Sequence, residues 1–237
     1  MVQERDFAYV QARVQARHGA RPSVATWRYL DAAADLAGYL HGLRETSLAP
    51  WVRPITQSDT SHDMERTLRG QWSAYTRRIA SWAPSPWRPA IACLSTLPQL
   101  PALEYLRHSE KPLAWLANDP QLKLPGAESM RENRLDGWLS DWRRQWPHTA
   151  DSQRDALGKL QGEVITHLKY MDDAGNAQDG DRLREQLEAL FKRNFRRYAQ
   201  NVIAVFCHLG LTALDVERMR GGLITRILFA PDIGVRQ

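Results

Sequence analysis

Residues 61–82 read SHDMERTLRGQWSAYTRRIASW and contain the clearest periodic pattern in the chain. Large apolar side chains recur there at steps of three or four residues, the spacing that places them along one face of an α-helix. Acidic residues Asp59, Asp63 and Glu65 stand at the start, where carboxylates complement the positive end of a helix dipole. The pattern predicts one long amphipathic helix. Its apolar stripe consists of Met64, Leu68, Trp72, Tyr75, Ile79 and Trp82.

The same helical spacing continues towards the N-terminus. Phe7, Val10 and Val14 form the stripe of a first helix, which should end at the turn over residues 19–22. Ser23 is the type of residue that caps a helix N-terminus, and a second helix is predicted from there through Leu43. On this prediction a single helix covers residues 24–43.

Towards the C-terminus, eight prolines punctuate residues 84–126, so short helices are expected in WRPAIACLSTL, ALEYLRH and LAWLA. A Trp-bearing helix follows over residues 135–146, then another over 157–171. MDDAGNAQDGD, residues 171–181, has the composition of a loop. A long helix is predicted from Leu183 through Phe206, stopped by Gly210, with Thr212 capping the last helix and Asp215 in its first turn.

Runs of β-branched residues with a two-residue period are nearly absent. The predicted fold class is therefore all-α, a compact multi-helix bundle, with two similar helical subdomains as an alternative arrangement. We expect a Trp-rich N-terminal region over residues 1–126 and a C-terminal region over 127–237, or one continuous domain across both. The tryptophans and leucines of residues 87–116 are expected to pack in the core.

Composition narrows the classes of function. The 237 residues are 43% hydrophobic, enough for a core without disulfides or metal, and carry a net charge of +5. Cys93 and Cys207 both lie in apolar helical contexts, which favours free buried thiols in a reducing cytosol. Neither a signal-peptide pattern nor 18 consecutive uncharged apolar residues occurs, so no transmembrane segment is expected. The predicted location is cytoplasmic, with peripheral association at the inner face of a membrane as an extension.

Motifs for catalysis or cofactor binding are scarce. The sequence lacks HxxxH, CxxC, GxGxxG, GxxxxGK[ST] and GxSxG. The pairs Glu104/His108 and Glu163/His167 lack a third ligand, so no metal and no cofactor is predicted. His62-Asp63 matches half of a metal-dependent phosphohydrolase signature. A small helical enzyme that uses residues 59–65 is therefore the alternative from a different functional class.

Basic residues cluster most densely at Lys192-Arg193-Asn194-Phe195-Arg196-Arg197. No nucleic-acid-binding module accompanies this cluster, so direct binding of nucleic acid is not expected. A basic helix surface also suits an acidic protein or anionic lipid headgroups.

Both ends of the chain carry a family resemblance. FAYVQARVQARHG at residues 7–19 precedes a Trp-containing helix that ends Tyr39-Leu40-x-x-Leu43-Arg44-x-Thr46. Near the other end stand Asn201-Val202-Ile203, Gly210-Leu211 and Val216-Glu217-x-Met219-Arg220. These segments resemble the C subunit of V-type and archaeal A-type ATPases, called d in eukaryotes. The chain is about a third shorter than typical members, and Gln15 stands where the family usually has Arg, so it resembles a shortened and divergent member.

The resemblance implies a mechanical role. Members of that family are non-catalytic, bind no cofactor, sit on the cytoplasmic mouth of the proteolipid ring and hold the foot of the central shaft. The expected partners are therefore rotary-ATPase shaft and ring subunits, and the alternative is a stand-alone helical interaction or assembly protein of another membrane-associated complex. The residues we expect to contact a partner are Arg13, Arg17, Lys192, Arg193, Arg196 and Arg197.

Overall fold

The structure is a computed structural model that describes residues 2–99, 134–148, 151–172 and 177–229. Helices dominate these residues and no strand occurs among them, which confirms the all-α prediction. Two short 3-10 turns, Ser85–Trp87 and Leu94–Gln99, flank one of the helices. The helices of the described ranges are α1 (Val2–Gly19), α2 (Val24–Asp31), α3 (Leu36–Arg44), α4 (Ala49–Val52), α5 (Ser61–Trp82), α6 (Arg88–Cys93), α7 (Arg134–Arg144), α8 (Asp151–Asp172), α9 (Ala177–Arg197) and α10 (Val202–Leu228).

The chain divides into two units that do not follow its two halves. Unit 1 combines residues 1–71 with residues 155–237, and unit 2 comprises residues 72–154. The N- and C-terminal segments therefore share one core. The boundary expected between residues 126 and 127 lies outside the described residues, as do the predicted helices ALEYLRH and LAWLA.

The long predicted helix over residues 61–82 is confirmed as α5. Met64, Leu68, Trp72 and Ile79 of its stripe are buried. The first helix is confirmed as well, and its predicted stripe of Phe7, Val10 and Val14 is buried, together with Gln11. Periodicity at three- and four-residue steps therefore identified the buried faces of both helices correctly.

Unit 1 is organised around α10. α9, α1 and α3 all pack against this helix, and every residue from Val202 to Leu209 is buried. A helix segment that is apolar on all sides is one that is covered on all sides. Two of these neighbours, α1 and α9, carry the predicted partner-binding residues.

Gly210 does not stop a helix, contrary to the sequence prediction. α10 runs unbroken from Val202 to Leu228 and passes through Gly210, Thr212 and Asp215. A Cβ atom at Gly210 would lie 2.6 Å from the Phe191 ring, so the missing side chain makes room for an aromatic ring of α9. The glycine serves close helix packing instead of helix termination.

The real break lies earlier, between α9 and α10. α9 ends at Arg197, and Gln200 adopts a left-handed backbone conformation with φ of 61°. Asn201 then caps α10, since its side-chain oxygen accepts a hydrogen bond from the backbone N–H of Ile203 at 3.0 Å. The predicted continuous helix from Leu183 to Phe206 was therefore wrong.

Two helices also replace the one predicted over residues 24–43. Ser23 caps α2 as predicted, but α2 ends at Asp31. Asp35 caps α3, because its carboxylate accepts a hydrogen bond from the backbone N–H of Gly38 at 2.7 Å. The Arg226 guanidinium donates to the carbonyls of Asp31 and Ala33 at 2.9 and 2.8 Å, which satisfies backbone groups exposed by the break.

The loop predicted over residues 171–181 is shorter than expected. α8 extends to Asp172 and α9 begins at Ala177, so both flanking helices reach into the stretch. Residues 173–176 lie outside the described residues.

Tryptophan side chains form the core of unit 2. Trp138 and Trp142 lie along one face of α7 and Trp146 follows its end, with ring centroids 5.8 Å apart for the first pair and 5.0 Å for Trp142 and Trp146. The indole N–H of Trp142 donates to the carbonyl of Ala90 at 2.9 Å, and that of Trp72 to the carbonyl of Leu94 at 2.8 Å. These tryptophans are buried, so they do not form an exposed docking patch. The indole N–H of Trp146 has no hydrogen-bond partner among the described residues.

A pair of adjacent glycines provides a test of the packing around α10. A Cβ at Gly222 would overlap the ring of Tyr39 on α3, whereas a Cβ at Gly221 would meet nothing within 4 Å. We expect Gly222→Ala to lower the free energy of unfolding by about 1–3 kcal/mol through overpacking. Gly221→Ala should raise it by about 0.5–1 kcal/mol, because alanine favours helix. Urea denaturation measures both, and equal effects would contradict the packing.

Candidate partner-binding surface

A buried ion pair fixes the connection between α1 and α2 to the middle of α10. Arg21 donates from Nε to Oδ2 of Asp215 at 2.6 Å and from Nη2 to Oδ1 at 2.9 Å. Side-chain exposure is only 11% for Arg21 and 8% for Asp215. Two parallel hydrogen bonds between planar charged groups define both distance and orientation. Asp215 therefore has a tertiary role instead of the helix-start role predicted for it.

Glu188 of α9 extends this ion pair to a third element. Its carboxylate accepts from Arg21 Nη2 at 3.2 Å and from Lys192 Nζ at 2.8 Å. Burial works against the charge of Arg21, but Asp215 and Glu188 outweigh it and raise the pKa of Arg21. Burial likewise opposes the charge of Glu188, yet Lys192 and Arg21 lower its pKa overall. Burial raises the pKa of Asp215 against the opposing effect of Arg21, but the two hydrogen bonds from the Arg21 guanidinium have the geometry of an ionic pair. Each of the four residues of the cluster thus has a partner of opposite charge.

Two histidines lie beside the cluster. The His18 ring centroid is 4.4 Å from that of Phe195, and the Phe195 ring is 6.4 Å from His208. Burial is the largest cause that lowers the pKa of His208 to about 3, and the positive charges of neighbouring residues, including Arg17 and Arg21, add to it. His208 is therefore neutral in the folded protein near neutral pH.

Three of the six predicted partner-binding residues converge around His18. Arg17 precedes His18 on α1, while the positive charges of Lys192 and Arg196 on α9 are close enough to lower the pKa of His18, after burial and Arg21. Arg13 extends the group along α1, since its carbonyl accepts from Arg17 at 3.3 Å. We name the set Arg13, Arg17, Lys192 and Arg196 the cationic face.

An exposed aromatic residue borders the cationic face. The guanidinium carbon of Arg13 lies 4.7 Å from the ring centroid of Tyr9, whose side chain is 54% exposed. Stacked arginine and tyrosine side chains present a flat surface with a positive charge. Both residue types are enriched in protein interfaces.

The remaining two predicted residues, Arg193 and Arg197, do not belong to the cationic face. Because successive residues of an α-helix are rotated by about 100°, Arg193 lies on a different side of α9 from Lys192. It lines a groove between α9 and α8, while the Arg197 guanidinium lies 5.4 Å from the ring centroid of Tyr198. The dense basic run at residues 192–197 is thus divided over more than one side of the helix.

The basic residues of α9 also differ in whether they already have an ionic partner. Lys192 is already bound to Glu188, whereas Arg193 and Arg196 make no hydrogen bond or ion pair with any residue that the structure describes. Both of these arginines are exposed. Their charges are available to a partner without the loss of an existing contact.

Candidate enzymatic residues show no converging geometry. Asp63 accepts from Thr60 Oγ1 at 2.6 Å and pairs with Arg66 at 3.3 Å, which is the helix-start position predicted for it. Within the described part of the chain, no three His, Cys, Asp or Glu residues are grouped to hold a metal ion. Glu104, His108 and the side chain of His167 lie outside that part. No helix among the described residues is long and apolar enough to span a membrane.

Sequence reasoning missed the residues that hold the surface in place. Arg21 and Asp215 are 194 positions apart, and neither belongs to a local motif. One signal was available for Asp215. It lies four positions from both Leu211 and Met219, so a helix that continues through Gly210 places its carboxylate on an apolar stripe, where a buried partner is required.

Removing the carboxylate charge of Asp215 tests the ion pair. We expect Asp215→Asn to lower the free energy of unfolding by roughly 3 kcal/mol, since Arg21 keeps a buried charge without its main partner. Asp31→Asn is the matched control: Asp31 also pairs with an arginine, Arg218, but that pair is exposed and should contribute less than about 1 kcal/mol. Urea denaturation of the two variants compares them, and similar losses would contradict the buried role.

The low pKa of His208 predicts an acid-sensitive component of stability. As pH falls from 6.5 towards 3, the unfolded chain binds a proton at this histidine while the folded protein does not, so stability decreases by up to about 1.4 kcal/mol per pH unit. His208→Gln should lack this part of the slope in urea denaturation measured from pH 7 to 4. His41→Gln, at an exposed position, controls for the change of residue type. Parallel profiles of His208→Gln and the unmodified protein would contradict the prediction.

Comparison with models of protein families, with curated proteins and with solved structures finds no match to this chain. The resemblance to the rotary-ATPase subunit therefore stays a prediction. The arrangement that can carry a functional proposal is the cationic face, held on α1 and α9 by the buried cluster of Arg21, Glu188 and Asp215.

Proposed function

We propose that this protein is a non-catalytic helical adaptor that binds an acidic surface of a partner protein through its cationic face. The observation that carries the proposal is the exposed side chain of Arg196, which makes no ion pair with the described residues. It follows Phe195, whose ring centroid lies 4.4 Å from that of His18 at the end of α1. Both helices are tied to α10 by the Arg21 cluster. A fixed array of charges loses little conformational freedom on binding, which favours recognition.

The partner is a membrane-associated complex on the cytoplasmic side. The resemblance of residues 7–46 and 201–220 to the rotary-ATPase C subunit supports its shaft and ring subunits as the specific partners. An adaptor of this type requires a stable packed body and a contact surface, and it requires no reactive group. Peripheral attachment to the membrane then comes from the partner.

Charge reversal on the cationic face tests the proposal. The double variant Arg17→Glu/Arg196→Glu should reduce recovery of the partner by about tenfold, because repulsion replaces attraction at two positions. Arg196→Glu alone, at an exposed position, should leave thermal stability nearly unchanged and still weaken recovery, which separates loss of binding from unfolding caused by the change at half-buried Arg17. The measurement is affinity purification of the tagged protein from gently solubilised native membranes, followed by quantitative mass spectrometry.

The control carries the same change of charge elsewhere on unit 1. Arg28 and Arg53 are exposed residues of that unit, and Arg28→Glu/Arg53→Glu should leave recovery unaltered. Shaft and ring subunits recovered in stoichiometric amounts support the rotary-ATPase assignment. A different membrane complex supports the adaptor role and rejects that assignment. Equal recovery with both double variants rejects the cationic face, and a protein purified alone rejects the adaptor role.

A further inference from the structure

A groove of about 850 Å³ lies between α8 and α9 in unit 1. Its lining includes Lys159, Gly162 and Glu163 from α8 and Leu183, Leu190 and Arg193 from α9. The groove is separate from the Arg21 cluster, which occupies another side of α9. None of the functions considered above uses it.

The lining residues repeat with helical spacing on both walls. Positions 159, 162, 163 and 166 contribute from α8, and positions 183, 186, 190 and 193 from α9. Ten residues of helix span about 15 Å at a rise of 1.5 Å per residue. The groove therefore matches the length of about three helical turns laid along it.

The lining of the groove includes apolar and small residues on both walls. Leu183 and Leu190 are half-buried, and Ala189 beside them is small and exposed. On the opposite wall a Cβ at Gly162 would meet nothing within 4 Å, so another chain has room to approach closely there. An apolar channel of this length between two helices suits the apolar face of an amphipathic helix.

Charge distinguishes one end of the groove. Lys159 and Arg193 line it on opposite walls, and neither makes a hydrogen bond or ion pair with any residue that the structure describes. Glu163, one turn further along α8, also lines the groove, so two cations stand against one carboxylate. Carboxylates on a bound helix would pair with Lys159 and Arg193, which an apolar ligand cannot do.

We infer that this groove is the docking site for an acidic amphipathic helix of the partner protein. The helix places apolar residues at positions i, i+3 and i+7 on Leu183 and Leu190, and its carboxylates reach Lys159 and Arg193. The inference rests on the proposed function, since it supplies the chemistry of the partner. Arg193 lies three residues from Arg196, so one partner can contact both the groove and the cationic face.

Site-specific photo-crosslinking in the intact complex tests the inference. A benzophenone amino acid at Gln186, which lines the groove, is compared with the same probe at Glu185, an exposed neighbour that does not. We expect crosslinking from position 186 alone, to a partner peptide with net negative charge and apolar residues at helical spacing. Mass spectrometry of the crosslinked peptide identifies the segment.

A pair of double variants tests the charge. Lys159→Glu/Arg193→Glu should reduce crosslinking from position 186 by about tenfold, whereas Lys159→Arg/Arg193→Lys keeps both charges and should keep the yield. A crosslink to a peptide of this chain, to a second copy, to lipid or to a non-acidic segment overturns the inference, as does the absence of a crosslink. If the unmodified protein recovers the partner but position 186 does not crosslink to it, the groove alone is rejected. If no partner is recovered, the proposed function is rejected.

Discussion

The bidentate ion pair between Arg21 and Asp215 is the constraint on which the candidate surface depends. Both groups are largely removed from water, and a buried charge without its partner is strongly destabilising. The end of α1 can therefore pack only where Arg21 reaches Asp215 on α10. Glu188 constrains the position of α9 in the same way, because its carboxylate must also reach Arg21. The positions of Arg17 and Arg196 at the surface follow from this buried geometry, because each lies within a few residues of a member of the cluster.

The glycines of α10 are a second cause of the close packing around this helix, because they leave space for aromatic rings of neighbouring helices. Phe191 of α9 and Tyr39 of α3 press their rings against Gly210 and Gly222, at distances that leave no room for a Cβ. Glycine is unfavourable inside a helix by itself, so its presence there requires a compensating contact. The aromatic rings supply it, since their large apolar surface is buried directly against the backbone of α10.

Periodicity predicted the helices of this chain far better than it predicted their ends. The predictions of the α5 stripe and of the three apolar residues of α1 are correct, because a helix with one buried face needs apolar residues at steps of three and four. Gly210 was interpreted as a helix stop because a terminating glycine and a glycine under an aromatic ring are identical in sequence. Only the ring of Phe191, nineteen positions away, distinguishes the two. The ion pair across 194 positions is likewise a tertiary fact. The division of residues 192–197 over several sides of α9, by contrast, follows from the rotation of about 100° per residue in any α-helix.

α9 connects the two surfaces that we propose for partner binding. One side carries Lys192 and Arg196 towards α1, and another carries Leu190 and Arg193 towards the groove with α8. Exposed cations mainly accelerate encounter with an acidic partner, whereas burial of apolar surface mainly slows its release. A single partner that uses both sides would therefore associate faster because of the cationic face and dissociate more slowly because of the groove. Phe191 packs on Gly210, and Arg184 donates to the carbonyl of Leu214, so α9 is attached directly to α10. Force on a helix bound in the groove would therefore be transmitted to α10.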